Sequence, residues 1–516
     1  MIKNDRNILI GSAFIAGFAL MVIELIATRI MAPYVGSSIY TWTSVIGVVL
    51  FGMAIGNYGG GMYADKYGSR KELSLLFTIT SIVTFLIPLG AYFSPVVALL
   101  GLPISITTLL LALVLFFVPA VLFGTLYPSI LKLHLKTTET TGVKSGQISA
   151  TWSLGSIVGT FLAGFYFIGY VGSSATILLI AIVLLINAAI LYISKKRLAW
   201  IAVLFLCVGM VTYVMHLFTD VRGKVFAAES EYYKIQVVDS STEKNGKVRT
   251  LFLDADSHSV EGLEGQKLNL YPDIYPIFSA MGSSMKDVLV IGGGSYTLSK
   301  KIVSAYKDAN VTTVEIDPKV QQVAEDYFKL GEYPMQTEVA DGRVFLQRTD
   351  KKYDLIFSDA YNSFVSVPWH MTTREFNEEV KNHLNENGLY AVNFISARAG
   401  ENAGLFESIG KTFRETFSQY VMFAYGESEY APQNIVLVGV NTNNAINIQE
   451  IREKIARGEN GEFLSKLLID DSIVASKGVL LKDNHAPVER LMMPLMNNYF
   501  NQYIPTYYST MTGQGE

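Results

Sequence analysis

The sequence is poor in cysteine, in histidine and in charge. Cys207 is the single cysteine of 516 residues, which excludes an internal disulfide framework. The six histidines are scattered, and none stands at metal-ligand spacing, so no metal centre is expected. Only 17% of the residues are charged, the net charge is −4, and no basic stripe is present, which argues against nucleic acid as a partner. No Ser-His-Asp set stands in a nucleophile-elbow context.

Apolar residues fill the space that charge leaves. Half the chain is hydrophobic, mean hydropathy is +0.32, and the charged residues crowd into the second half. Apolar runs at about 8–31, 40–61, 73–93, 105–131, 148–170, 174–193 and 198–217 are each long enough to cross a hydrocarbon core, which takes about 20 helical residues. They predict a multi-pass membrane domain of about seven helices over 1–220, with the lipid bilayer as partner. The first run is too long, and is followed by too many others, to be a cleaved signal peptide.

Basic residues fall in alternate connections. Lys3 and Arg6, then Lys66, Arg70 and Lys71, then Lys132, Lys136 and Lys144, then Lys195, Lys196 and Arg197 alternate with loops that have no Lys or Arg. This bias places the amino terminus in the cytoplasm. Seven crossings from there put the rest of the chain outside. Within the first run, Glu24 and Arg29 are ionisable groups at membrane depth, where a partner or a cavity is required; an internal pair that fixes helix packing is the first reading, a functional role the second. Gly52, Gly56 and Gly60, and Gly155 and Gly159, repeat at four-residue spacing, which suits close helix packing.

After Asp220 the pattern changes. EYYKIQVVDS and VRTLFLD alternate apolar and polar residues around EKNGK, predicting a small antiparallel β-subdomain over 221–285. From Lys286 onward DVLVIGGG, VTTVEID, YDLIFSDA and GLYAVNFIS read as buried strands separated by helical stretches such as PKVQQVAEDYFKL. This predicts an α/β Rossmann-like domain over 286–516, with a parallel sheet covered by helices on both faces. Ligands of such sheets bind at the carboxyl ends of the strands. Gly292, Gly293 and Gly294 close the first strand, Glu315 the second, Asp341 with Gly342 a third, and Asp359 a fourth. An acid about twenty residues after a glycine loop commonly holds ribose hydroxyls. GGGSYT lacks the last glycine of the dinucleotide fingerprint, and no basic cluster is present to neutralise a pyrophosphate, so a nucleoside without phosphates is the better guest.

VLVIGGG, VEID, VADG, YDLIFSDA and LKDNHAPVE together resemble the spermidine synthase family of aminopropyltransferases, whose domain joins a small β-subdomain to a Rossmann-like methyltransferase-type fold. The membrane half, with ELIATRIMAPYVGSSIYTW and GNYGGGMYAD, is similar to the integral-membrane branch of that family. GMYADKYGSRK alone is similar to a loop of major-facilitator transporters, but seven spans are too few for that fold.

The resemblance implies a nucleoside sulfonium substrate, decarboxylated S-adenosylmethionine or S-adenosylmethionine itself, with no metal or further cofactor, and release of 5′-methylthioadenosine. It places ribose on Glu315 and the adenine amino group on Asp341. The nucleoside site is then Gly292, Gly293, Gly294, Ser295, Glu315, Asp341 and Gly342, with Asp359, Tyr361 and Asn362 as the catalytic candidates. Tyr232, His258, Tyr296 and Asp483 are candidates for the acceptor side; Tyr233, Asp254 and His485 are further possibilities there. Soluble relatives commonly dimerise, so a homodimer is open.

Three departures bear on the reaction. The loop aspartate that helps hold the aminopropyl ammonium is Ser295 here, D-x-x-D is Asp359-Ala360-Tyr361-Asn362, and no Tyr-His-Glu type of segment occurs in SVEGLEGQKLNLYPDIYP. Fewer carboxylates make a poor diamine site, and Ser295 suits hydrogen bonding to an intact substrate carboxylate. The leading expectation is transfer to an acceptor other than a standard polyamine. An S-adenosylmethionine lyase giving methylthioadenosine and homoserine lactone stands beside it, then ordinary polyamine synthesis, then a non-catalytic nucleoside sensor or transporter-like protein. The catalytic domain is expected on the cytoplasmic side, where the donor is made, despite the odd number of spans.

Overall fold

The computed structural model describes residues 3–92, 94–98, 100, 102–135, 141–192, 209, 223–242, 246–254, 256–266, 268–360, 367–469 and 477–498. The chain forms two compact units. One comprises residues 1–222, 228–234 and 500–516, the other 223–227 and 235–499.

Among the described residues, six helices of the first unit are long and apolar enough to cross a membrane: α1 (Arg6–Val35), α2 (Ile39–Tyr67), α3 (Arg70–Ala91), α4 (Ile104–His134), α5 (Thr141–Val171) and α6 (Ser173–Tyr192). The seventh expected span, 198–217, lies outside the described residues. Several helices outrun their apolar windows because polar turns continue them beyond the hydrocarbon. Ser38 and Ser69 cap α2 and α3 through the Thr41 and Glu72 amides. Leu50, Phe51, Ile55, Phe165, Ile186 and Ile190 are exposed, as lipid-facing residues are.

The glycine repeats serve packing within the bundle. A Cβ at Gly56 would lie 2.1 Å from the Val121 carbonyl oxygen of α4, and one at Gly155 2.1 Å from that of Phe14 on α1. Hydroxyls add polar ties: Ser81 donates to the Ala181 carbonyl at 2.6 Å, and Ser12 to Asn187 Oδ1 at 3.1 Å. The expected Glu24–Arg29 pair is absent among the described residues. Arg29 donates instead to the Tyr232 carbonyl. Nearby, Glu229 accepts from the amide and hydroxyl of Ser173, capping α6 at 2.8 and 2.7 Å.

The second unit holds two sheets. The smaller is ordered β1-β2-β3-β4 (Lys224–Glu229, Lys234–Thr242, Gly246–Leu253, Asp256–Gly262). Its β2–β3 pairing sets Asp239 opposite Arg249, whose guanidinium grips the carboxylate in two bonds of 2.7 and 2.8 Å. The larger has eight strands: β5 (Asp287–Ile291), β6 (Asn310–Glu315), β7 (Gln336–Val339), β8 (Tyr353–Ser358), β9 (Leu384–Ser396), β10 (Tyr420–Ala424), β11 (Gln433–Val440) and β12 (Leu468–Ile469), in the order β12-β10-β11-β9-β8-β5-β6-β7.

The expectation of a parallel sheet holds for half of it. Strands β5 to β9 run parallel, whereas β9–β11, β11–β10 and β10–β12 are antiparallel. The connection from Ala424 to Gln433 is too short for a helical crossover, so it returns the chain antiparallel. Val288, Val290, Leu355, Phe357, Leu389 and Val436 belong to the core cluster of this sheet. Strand β5 pairs with β6 on one side and β8 on the other, so the order reverses there and leaves a crevice at the strand ends.

Candidate functional site

The glycine loop begins one residue past β5. Gly292 has φ of +100°, and a Cβ there would lie 2.5 Å from the Asp359 carbonyl oxygen. Only glycine combines that dihedral with that approach. The amide of Asp359 donates to the Ile291 carbonyl at 2.7 Å, so the ends of β5 and β8 are stitched together.

Glu315, at the end of β6, holds the loop. Its Oε2 accepts from the amides of Gly293 (2.8 Å) and Gly294 (3.2 Å), and its Oε1 from that of Asp317 (3.0 Å). Burial pushes its carboxyl above the usual range, against the pull of those amides. A carboxylate offers about four acceptor positions, so Oε1 retains capacity for a hydroxyl.

Asp341 lies two residues beyond β7 and caps the helix α7 (Gly342–Arg348), its Oδ1 accepting from Arg343 and Val344 at 2.9 and 3.0 Å. His370 Nε2 sits 3.1 Å from the other oxygen and holds the carboxyl below its ordinary value. Gly342 packs on β5, where a Cβ would meet Ile291 Cγ2 at 2.2 Å. Asp483, expected on the acceptor side, instead grips Arg343 in two bonds of 2.8 and 2.7 Å. It therefore clamps the residue two beyond Asp341. His485 forms only a backbone bridge to Lys482 among the bonds described.

Asp359 is half-buried one residue past β8. Asn393 of β9 donates to its Oδ1 at 2.8 Å, and the Tyr271 hydroxyl donates to its Oδ2. Burial pushes its carboxyl up to about 6, although both donors pull it down. Tyr271 lies within the stretch that had shown no Tyr-His-Glu type of segment, and nothing local marks it. Asn393 had a signal, as a lone amide in the apolar strand GLYAVNFIS.

Ser295 behaves differently from the expectation that it meets a substrate carboxylate. It is fully buried, and its hydroxyl faces Glu261 Oε1 at 3.1 Å and Thr297 Oγ1 at 2.6 Å. Glu261 on β4 also accepts from Thr297 and from Lys300, both at 2.6 Å. Tyr296 is buried in a left-handed conformation, φ +59°, beside Gly293. His258 is half-buried on β4 next to Ser259, whose hydroxyl accepts from the Ser295 amide at 3.2 Å. Tyr361 and Asn362 lie outside the described residues. Tyr232 and Tyr233 belong to the first unit, and Asp254 takes φ of +55° at the turn after β3.

Residues 275–450 match the family described as Spermine/spermidine synthase domain. Residues 275–450 are thus similar to spermidine synthase domains. The chain is 29% identical over 228 residues to a probable polyamine aminopropyl transferase of Bifidobacterium longum, covering 43% of this chain and 50% of that one. It is 31% identical over 140 residues to the polyamine aminopropyltransferase of Vibrio vulnificus, covering 26% of this chain and 45% of that one. The chain thus spans about half the length of these two curated relatives. Among solved structures, a probable spermidine synthase from Corynebacterium glutamicum aligns with a TM-score of 0.37 at 20% identity, over 49% of this chain and 97% of that one. Spermidine synthase from Thermotoga maritima aligns with a TM-score of 0.40 at 17% identity, over 49% and 87%. Among the described residues, no group of three His, Cys, Asp or Glu is placed to hold a metal.

Proposed function

We propose that the α/β domain acts as a spermidine synthase-like enzyme, breaking the carbon–sulfur bond of a sulfonium nucleoside, decarboxylated S-adenosylmethionine in the first instance, and passing the aminopropyl-type group to an amine. The observation that supports this most is the setting of Asp359, a carboxylate at the switch point of the sheet, flanked by two hydrogen-bond donors. Glu315 then takes the ribose hydroxyls on the free capacity of Oε1, and Asp341 takes the adenine amino group.

The amine nitrogen attacks the methylene carbon bonded to sulfur. The carbon–sulfur electron pair moves to sulfur, which departs as the neutral thioether of methylthioadenosine, and the new ammonium loses a proton to Asp359 or to water. The leaving group needs no protonation, so placing the nucleophile in line within about 3–3.5 Å does most of the work. A carboxyl titrating near 6 is matched to accepting that proton near neutral pH.

Transfer is favoured over lyase chemistry because the Ser295 hydroxyl, the group expected to meet a substrate carboxylate, is turned to Glu261. A standard diamine is disfavoured as acceptor. Asp273, the acid nearest Tyr271 in sequence, is buried and neutralised by Lys301 at 2.7 Å, and position 362 is an amide. The test uses purified protein in detergent, offered decarboxylated or intact S-adenosylmethionine with and without a panel of primary amines, while methylthioadenosine is quantified. Amine-dependent release from the decarboxylated donor is expected. Release from intact S-adenosylmethionine without any amine would replace this reading with a lyase.

A further inference from the structure

Helices α1 and α5 pack side by side and run in the same direction. A Cβ at Gly155 would lie 2.1 Å from the Phe14 carbonyl oxygen, and one at Gly159 2.5 Å from that of Phe18. Both contacts have the same offset, and carrying it back eight residues sets Arg6 level with Gln147. Lys144 lies one turn before Gln147 on α5. His134, in the last turn of α4, reaches the same place: it is 1% exposed, and its Nε2 sits 3.3 Å from Gln147 Oε1. A ring nitrogen facing an amide oxygen carries the hydrogen, so this bond engages the oxygen of Gln147 and leaves its NH2 uncommitted. The His134 ring feels the charge of both Lys144 and Arg6. Neither cation forms an ion pair among the described residues. The acids whose side chains are described at this end are engaged, Asp65 by Lys132 at 2.6 Å and Glu72 by the Tyr63 hydroxyl at 2.7 Å.

We infer that the junction of α1, α4 and α5 binds the phosphate of an anionic phospholipid, in the leaflet at this basic end of the bundle. Arg6 and Lys144 approach the phosphate from two helices, and Gln147 donates its NH2 to one of the oxygens. His134 holds that amide by its oxygen. The first turns of α5 and of the helix containing α1, which begin at Thr141 and Lys3, add the partial positive charge of their unbonded N–H groups. The acyl chains have a track of their own. Gln147, Leu154 and Phe161 recur at seven-residue spacing and so share one face of α5, where Leu154 is 55% and Phe161 56% exposed. That face runs from the phosphate toward the bilayer interior, and a free phosphate ion has no use for it.

The test separates a built site from the general field of a basic surface. Protein purified in detergent is titrated with phosphatidylglycerol and with phosphatidylcholine, and bound lipid is counted by native mass spectrometry. The variants are Arg6→Gln, Lys144→Gln, Lys144→Arg and Gln147→Leu, with Lys71→Gln on α3 as a control at the same end of the bundle. The wild type is expected to hold the anionic lipid at least about fivefold more tightly than the zwitterionic one. Arg6→Gln and Lys144→Gln should each loosen it about fivefold, and Lys144→Arg should keep the affinity. Gln147→Leu, which changes no charge, should loosen it at least about threefold. Lys71→Gln should leave it within about twofold, and phosphatidylcholine should bind all variants alike. Equal losses in Lys71→Gln and Lys144→Gln, or unchanged affinity in Gln147→Leu, would reduce the site to surface charge and overturn the inference. Equal retention of the two lipids would overturn it as well. So would displacement of the lipid by glycerol 3-phosphate at equal concentration, which would make the ligand a soluble phosphate.

Discussion

The ammonium of Lys300 lies 2.6 Å from the carboxylate of Glu261, in a pair whose lysine side chain is only 7% exposed. The lysine belongs to the helix that follows the glycine loop, and the glutamate to the last strand of the small sheet. The pair therefore joins the small sheet to that helix, beside the bonds of Ser295 and Thr297 to the same carboxylate. Removing one member of such a pair strands the other, whereas replacing both with apolar residues is often close to neutral. Glu261→Gln should lower the melting temperature of the detergent-solubilised protein by about 5–10 °C, and Glu261→Leu with Lys300→Met should restore most of it. Equal losses in the single and double variants would show that the pair itself has little part in the joint.

On the transfer reading, Asp359 should set a pH dependence for turnover. Its carboxyl is raised to about 6, and only the ionised form can take up a proton or hold an ammonium. Activity at limiting substrate should fall about tenfold per pH unit below 6 and level off above it. Asp359→Asn should flatten that limb and lower turnover by about 10²–10³ while methylthioadenosine affinity changes little. A limb unchanged in Asp359→Asn would assign the titration to another group.

Gly292 has no tolerated substitute. A methyl group at φ +100°, 2.5 Å from the Asp359 carbonyl oxygen, adds backbone strain of about 1–3 kcal/mol to a clash with main chain. Gly292→Ala should loosen methylthioadenosine binding at least about tenfold, measured by calorimetry, whereas alanine at Gly331, which meets nothing within 4 Å, should leave it unchanged.

Residues 228–234 meet the bundle at the end where α1 finishes and α6 begins, through Arg29 and Ser173. The short α5–α6 connection carries no Lys or Arg, and among the described residues the opposite end carries Lys66, Arg70, Lys71, Lys132 and Lys144. A cysteine at Glu231 in a Cys207→Ser background should therefore react with a membrane-impermeant maleimide in intact cells expressing the protein, and one at Lys144 only after permeabilisation. The reverse pattern would return this segment to the cytoplasmic side, where the origin of the donor had placed the catalytic domain.

Much of the site was legible because its residues follow apolar strand runs directly. Gly292–Gly294, Glu315 and Asp359 each end a run of β-formers, so chain order alone put them at one edge of a sheet. Tyr271 was not legible. It reaches Asp359 from 88 residues away, and only the packing of the connection after the small sheet brings it there. Ser295 was misread for the same reason, since its partner Glu261 lies on a different sheet and no local pattern couples them. The antiparallel strands β10 to β12 were missed because YVMFA and QNIVLVGV contain none of the strand-end chemistry that drew attention to the others.

The grip of Asp483 on Arg343 also has a consequence for synthesis. The two residues are 140 positions apart, so at roughly 5–20 residues per second the ribosome needs on the order of ten seconds to deliver the clamp after the helix it holds. Until then Asp341 caps a seven-residue helix without the carboxylate that pins its first turn. This end of the crevice is thus locked late in translation, and a chain interrupted before residue 483 leaves Arg343 held only by Glu379 and the His370 carbonyl.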